Sequence, residues 1–294
     1  MRIACWQYPI EQQASMAAWR TKIDSAIGDA AGQGADVVVV PEYASMELTS
    51  LLAATEQTLD AQLIGMQRLL AEYDASYVDV AKKHRIAIVA GSFPVRGSDG
   101  AYRNRALVIG PDGAAVPVEK LQMTRFENER WGITAGAGQA VFAIGELRLG
   151  VAICYDAEFP LISRRLALAG ANVIAVPSCT DGLAGYHRVK VASLARALEN
   201  QCYVAQAPTV GIAPWSIAVD ENVGAAGVFA PCDRGFPDDG VIALGTLNAA
   251  QMLVADIDLA RVAAVRADGQ VLGHRDWGNF AHLTDAAPAK HTLR

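Results

Sequence analysis

Nowhere in the 294 residues does an apolar run approach the roughly 18 to 20 positions that span a bilayer. Met1 to Gln7 also lacks a basic flank leading into such a run, so a soluble, cytoplasmic protein without membrane contact is expected. Charge is scarce at 19 % and leans acidic, with Lys+Arg 25 against Asp+Glu 31 and a net charge of -6. The few basic residues are scattered and form no stripe for gripping phosphates, which excludes nucleic acid as a partner. Aromatic residues are few, at 7 %, yet hydrophobic residues reach 52 %, so disorder and coiled coil are excluded and a large aliphatic core is expected. The five cysteines, Cys5, Cys154, Cys179, Cys202 and Cys232, form no C-x-x-C pair. Neither a disulfide framework nor a zinc knuckle fits them, no other zinc spacing occurs, and no metal or cofactor is expected.

What the sequence does contain is an alternation of short β-rich runs with helical patterns. Strands are expected at Ile3 to Gln7, Val37 to Val40, Ile86 to Ala90, Ala106 to Ile109, Ala115 to Glu119, Leu147 to Ile153, Val173 to Val176, Cys202 to Ala205, Val223 to Phe229 and Met252 to Ile257. Helices are expected at Ser15 to Ala31, from about Glu56 to His84 without a break, at Pro160 to Ala169 and at His187 to Glu199. This is the pattern of an α/β layered fold. The run Gly34 to Pro41 is echoed by Gly170 to Pro177, and Val80 to Pro94 by Leu194 to Pro208. Chance recurrence and a duplicated α/β unit both account for that. Duplication makes residues 1–283 one domain, with 284–294 a loose tail.

Residues just beyond the carboxyl ends of strands are where α/β sheets present their ligands. Glu42 follows Val37 to Pro41 there, as a partly desolvated general base or as a helix cap. Cys154 follows Leu149 to Ile153 at a strand-to-helix elbow, a place suited to a nucleophile and equally to a packed core cysteine. Lys120 ends Ala115 to Glu119, where a lone lysine is ordinarily a solvated charge.

Val39-Val40-Pro41-Glu42, the strand-end Lys120 and Gly150-Val151-Ala152-Ile153-Cys154-Tyr155-Asp156, in that order, resemble the nitrilase superfamily of carbon-nitrogen hydrolases. Ala195 to Gln201 resembles the family's segment after the nucleophile. The resemblance spans Ile3 to about Gly278. It implies a four-layer αββα sandwich with internal pseudo-two-fold symmetry and a Glu-Lys-Cys triad of Glu42, Lys120 and Cys154. By the same resemblance the backbone N–H of Tyr155 helps hold an oxyanion. A second glutamate is implied downstream of the lysine, and two candidates compete; Arg125 to Glu129 is similar to an R-F-x-x-E variant, which favours Glu129, with Glu127 then a solvated charge. Ser178 and Asp181, after the repeated Val-Pro, are candidates for the pocket, and Asp181 alternatively closes a turn with Gly182. Arg125, with Arg130 and Arg188, is a candidate for gripping a substrate carboxylate.

The implied reaction is cleavage of a small amide or N-carbamoyl compound through a Cys154 thioester, giving a carboxylic acid and ammonia or an amine. Two other readings remain at this point. One is a Cys-His hydrolase or acyltransferase using His84, His187 or His274. The other is a catalytically silent relative that binds a metabolite. The resemblance further implies a homodimer or higher homo-oligomer, since relatives commonly pair two sandwiches.

Overall fold

The computed structural model describes residues 1–279 and Lys290. The expected tail at 284–294 falls, apart from Lys290, outside the described residues. In chain order the elements are β1 (Arg2–Pro9), α1 (Met16–Gly32), β2 (Val37–Val39), α2 (Leu59–Met66), α3 (Leu70–His84), β3 (Ala87–Arg96), β4 (Tyr102–Ile109) and β5 (Ala115–Glu119). Then come β6 (Ile133–Thr134), β7 (Val141–Ile144), β8 (Leu147–Val151), α4 (Pro160–Leu168), β9 (Val173–Ser178), α5 (Leu183–Asn200) and β10 (Tyr203–Ile212). The rest are β11 (Glu221–Asn222), β12 (Gly227–Phe229), β13 (Val241–Leu244), β14 (Gln251–Asp256), α6 (Leu259–Asp268) and α7 (Gly273–Asp276).

The strands form two halves of the same design. One runs β14-β1-β2-β3-β4-β5 and the other β7-β8-β9-β10-β12-β13. In each, an antiparallel edge strand precedes three parallel strands, and two antiparallel strands follow. The halves meet where Tyr8 and Pro9 of β1 pair with Thr209 and Val210 of β10. The two sequence repeats land on equivalent strands: β2 corresponds to β9, and β3 to β10. The repeats thus coincide with the internal symmetry of the fold, which is the αββα sandwich.

Alternation along the strands assigns the layers. Ile3, Cys5, Val37, Val39, Ala87 and Val89 share a core with Leu149, Val173 and Ala175 of the facing half. Their neighbours Ala4, Trp6, Val38, Val40, Ile88 and Ala90 pack instead on Trp19 and Ile23 of α1 and on Tyr73 and Tyr77 of α3. Trp19 stacks on Tyr73 at 5.1 Å between ring centroids, and truncating so large a buried ring costs about 3–5 kcal/mol. On the far side Leu166 of α4, Val189 of α5 and Val262 of α6 complete the fourth layer.

Three local expectations are corrected. The helix expected from Glu56 to His84 is two helices: Gln67, Arg68 and Leu69 donate their amides three residues back instead of four, tightening the chain into a turn. The Gln67 side chain holds that turn by donating to Leu63 O and Pro94 O. The strand expected at Val223 to Phe229 shrinks to β12, because Val223 N bonds Thr180 O and Ala226 N bonds the Gln7 side chain. Finally, α5 begins at Leu183 rather than His187. Among the described residues no helix is long and apolar enough to cross a membrane.

Candidate active site

The carboxyl ends of β2, β5, β8 and β9 converge on one cavity of about 220 Å³. Glu42, Lys120, Cys154 and Cys179 come from these four ends, with Tyr43 beside Glu42 and Tyr155 beside Cys154. Two non-glycine residues there sit in the left-handed backbone region, Tyr43 at φ 54° and Cys154 at φ 50°. An L-residue held there is strained by about 1–3 kcal/mol, and such strain gathers at functional sites. At Cys154 it makes the sharp elbow that lifts the sulfur off β8. Gly91 lets β3 pass under the Glu42 loop, since a Cβ there would lie 2.6 Å from Pro41 O.

Four ionisable groups are packed at the floor with 4 % exposure or less: Glu42, Lys120, Glu127 and Cys154. Lys120 Nζ donates to Glu42 Oε1 at 2.8 Å and to Glu127 Oε2 at 2.6 Å. Glu127 is further held by Tyr43 OH at 2.8 Å, by Asn104 Nδ2 at 3.1 Å, and by the amide and hydroxyl of Thr124, both at 2.9 Å. Asn104 Nδ2 also reaches Glu42 Oε1 at 2.8 Å, and Cys179 N donates to Glu42 Oε2 at 3.1 Å. The Cys154 thiol donates to Cys179 O at 3.7 Å and shares the cavity floor with the Glu42 carboxyl.

One ammonium thus faces two carboxylates, and their surroundings differ. Burial pushes Glu127 up, but Lys120, the Thr124 amide and Tyr43 outweigh it and hold the group below the usual carboxylate range. Burial dominates at Glu42, aided by the Glu127 charge and only partly offset by Lys120, and raises it to about 7. Burial and the Glu42 carboxylate keep the Cys154 thiol well above its ordinary value. Lys120 stays charged, because Glu42 and Glu127 overcome its burial. The proton of the pair therefore rests on sulfur, beside a carboxylate poised near neutrality to take it.

The structure brings Glu42, Lys120, Cys154 and Tyr155 together and places the second glutamate differently from the expectation. Glu129 is exposed and pairs with Arg125, at 2.9 Å, on the outer side of the Phe126–Trp131 turn. Glu127, two residues earlier and so on the opposite side, is the one that meets Lys120. A usable signal was present: Thr124 and Glu127 exchange backbone and side-chain hydrogen bonds as a T-x-x-E capping box. Arg125 is 89 % exposed in its side chain and does not line the cavity. Ser178 is buried within β9, its hydroxyl donating to Ala207 O, and is also absent from the wall. Asp181 and Arg188 do line the cavity, Arg188 lying 3.5 Å from Glu158. Asn104, between Arg103 and Arg105 in β4, and Tyr43 were not singled out from sequence.

Of the other four cysteines, Cys5 and Cys202 are buried, Cys232 is exposed, and Cys179 lies in the cavity wall. None of the histidines weighed as a base lines the cavity: His84 pairs with Asp24, His187 is exposed on α5, and His274 adjoins Arg164 and Arg266. Among the described residues no group of three or more His, Cys, Asp or Glu side chains is arranged to hold a metal ion.

An αββα sandwich presenting a cysteine elbow to a buried carboxylate and ammonium is the architecture of the nitrilase superfamily. More narrowly, the family model for carbon-nitrogen hydrolases matches residues 2–267, and the chain belongs to that family. The Bacillus subtilis protein named "Probable hydrolase YhcX" is 32 % identical over 276 residues, covering 94 % of this chain and 53 % of its own length. The chain thus spans about half of that relative. Hydrolase Rv0480c of Mycobacterium tuberculosis is 30 % identical over 281 residues, 90 % of this chain and 92 % of its own. Among solved structures, a carbon-nitrogen hydrolase from Helicobacter pylori G27 superposes with a TM-score of 0.76 at 18 % identity, covering 97 % of this chain and 98 % of its own.

Proposed function

We propose that the protein hydrolyses the C–N bond of a small amide or N-carbamoyl compound through a thioester on Cys154. The observation that carries this reading is the buried floor of the cavity, where Lys120 Nζ donates to Glu42 Oε1 at 2.8 Å beside Cys154 and burial raises Glu42 to about 7. Glu42 takes the Cys154 proton as the sulfur attacks the carbonyl carbon. Lys120 and the Tyr155 N–H hold the oxyanion, each donor in such a site being worth about 3 kcal/mol. Collapse expels the amine, which leaves with the proton from Glu42. A water molecule then loses its proton to Glu42 and attacks the thioester. The acid departs, and the sulfur regains its proton from Glu42.

Similarity supports amides as the class. The 2-oxoglutaramate amidase of Bacillus subtilis is 29 % identical over 233 residues, and an amidase from Nesterenkonia sp. AN1 of like fold, TM-score 0.68, was solved with acrylamide. The cavity bears on the choice among amides. At about 220 Å³ it lies below the common range of roughly 300–1,000 Å³ for drug-sized ligands. Beyond the Glu42, Lys120 and Glu127 floor, its lining among the described residues carries Glu158, Asp181, Asp220 and Glu221 against the cation Arg188. That balance favours short neutral or cationic amides over ω-amides of dicarboxylic acids. Ammonia release across a panel of neutral, amino-bearing and carboxylate-bearing amides, N-carbamoyl compounds and nitriles, with Cys154→Ala as blank, tests it. Release from the neutral or cationic amides is expected; a wild type indistinguishable from the blank on every compound refutes the reading.

A further inference from the structure

Lys120 and Cys154 come from different halves of the sandwich. Lys120 follows β5 of the first and Cys154 follows β8 of the second. Work on an oxyanion requires the ammonium and the sulfur to keep a fixed separation. Asp156 lies between the two chain segments. Its Oδ1 accepts from Leu121 N at 3.1 Å and from Gln122 N at 2.7 Å, and its Oδ2 accepts from Ile153 N at 3.2 Å and from Leu121 N at 3.3 Å. The donors are the two residues directly after Lys120 and the residue directly before Cys154. Asp156 is 3 % exposed and is absent from the cavity wall, so it does not meet substrate. Among the described residues it forms no salt bridge within 4 Å, and all its hydrogen bonds come from backbone amides.

We infer that Asp156 is a positioning residue, its carboxylate fastening the Lys120 segment to the Cys154 elbow so that oxyanion donor and nucleophile keep their spacing. A buried carboxylate is costly unless its lone pairs are filled, and here they are filled solely by the two segments that must stay in register. The same bond to Ile153 N closes the turn that carries Cys154 at positive φ. Cys179 N also crosses the floor, but it donates to Glu42 and fixes the base, whereas Asp156 holds the backbone on either side of the ammonium and the sulfur. The inference rests on the acyl-transfer reading above, because alkylation of a thiol needs no oxyanion donor and acyl transfer does.

That difference supplies the test. Cys154 in wild type, Asp156→Asn and Asp156→Ala is titrated with iodoacetamide, an alkylator that develops no oxyanion, and with p-nitrophenyl acetate, which acylates through one. In variants that retain the wild-type circular dichroism, alkylation is expected to stay within about threefold while acylation falls about a hundredfold, the loss typical of slight misplacement of catalytic groups. In the wild type, hydrogen exchange at Leu121 and Gln122 is expected to be slow although both amides lie in a loop. Acylation within threefold of wild type in a folded variant overturns the inference. So does a parallel fall of both rates, which marks general loss of the site, and so does fast exchange at either amide. A wild type that is alkylated but never acylated refutes the hydrolase reading instead, and the fastening by Asp156 is then decided by the exchange rates alone.

Discussion

Replacing Glu127 by glutamine, beside the same change at Glu129, separates the buried glutamate from the exposed one. Glu127 accepts five hydrogen bonds, from Lys120, Tyr43, Asn104 and the amide and hydroxyl of Thr124, at 2.6 to 3.1 Å. A glutamine keeps one acceptor oxygen and must turn its NH2 toward groups that are themselves donors. Removing one partner of a buried ion pair costs about 3–5 kcal/mol, and because Lys120 keeps Glu42 the low end, about 3 kcal/mol, applies. For a chain of 294 residues that lowers the melting midpoint by about 5 °C. Activity falls as well, because Lys120 then swings toward Glu42. The loss of one oxyanion donor, about a hundredfold or more in kcat, sets the scale. Glu127 also pushes Glu42 up through like-charge repulsion, so without it the base titrates lower and the acid limb of the rate profile moves to lower pH. Glu129→Gln breaks only an exposed pair with Arg125 and is expected to leave both midpoint and rate unchanged. Calorimetry and ammonia release at a series of pH values read all three effects. Equal behaviour of the two variants, or a larger loss at Glu129, refutes the placement of Glu127 as the group that holds Lys120.

Three further outcomes follow from the same geometry. Since Glu42 is held at about 7 and acts only when ionised, kcat/KM is expected to rise with pH through about 7; a flat profile from pH 5.5 to 8 contradicts its role as the base. The same raised value means that Glu42 stabilises the fold fully below its unfolded pKa and loses that contribution as pH rises through about 7. Wild type should therefore lose denaturant stability relative to Glu42→Gln between pH 5 and 8, by up to roughly 3 kcal/mol, and a constant difference counts against the shift. Gly91→Ala would put a methyl group 2.6 Å from Pro41 O. Overpacking of this kind costs about 1–3 kcal/mol, and here the displaced backbone carries Glu42. A drop in kcat out of proportion to the drop in stability is expected, and an Ala variant with full activity removes Gly91 from the argument.

Much of the architecture was legible because strand and helix are local periodicities. The uninterrupted Val37 to Val40 run, the helical face of Trp19, Ile23 and Ile27 and the repeated Gly-Ala-x-Val run report directly on burial, and burial is what the sandwich distributes. The break between α2 and α3 was not legible, since it depends on Gln67 finding Pro94 O on another element. The apparent length of the strand before Phe229 failed for the same reason: the amides of Val223 and Ala226 are taken by distant groups.

By itself, then, the sequence determined that a carboxylate, a lysine and a cysteine each stand at the carboxyl end of a strand, and in the order that the carbon-nitrogen hydrolase family uses. Only the tertiary structure decided which of Glu127 and Glu129 faces Lys120, that Asn104, Tyr43 and Cys179 complete the floor, and that Ser178 and Arg125 stand outside it. The physical reason is one of phase. Residues two apart on a helical turn point to opposite sides, and which side looks inward is set by contacts with groups distant in the chain, Tyr43 and Asn104 among them. Spacing along the chain carries no record of those contacts.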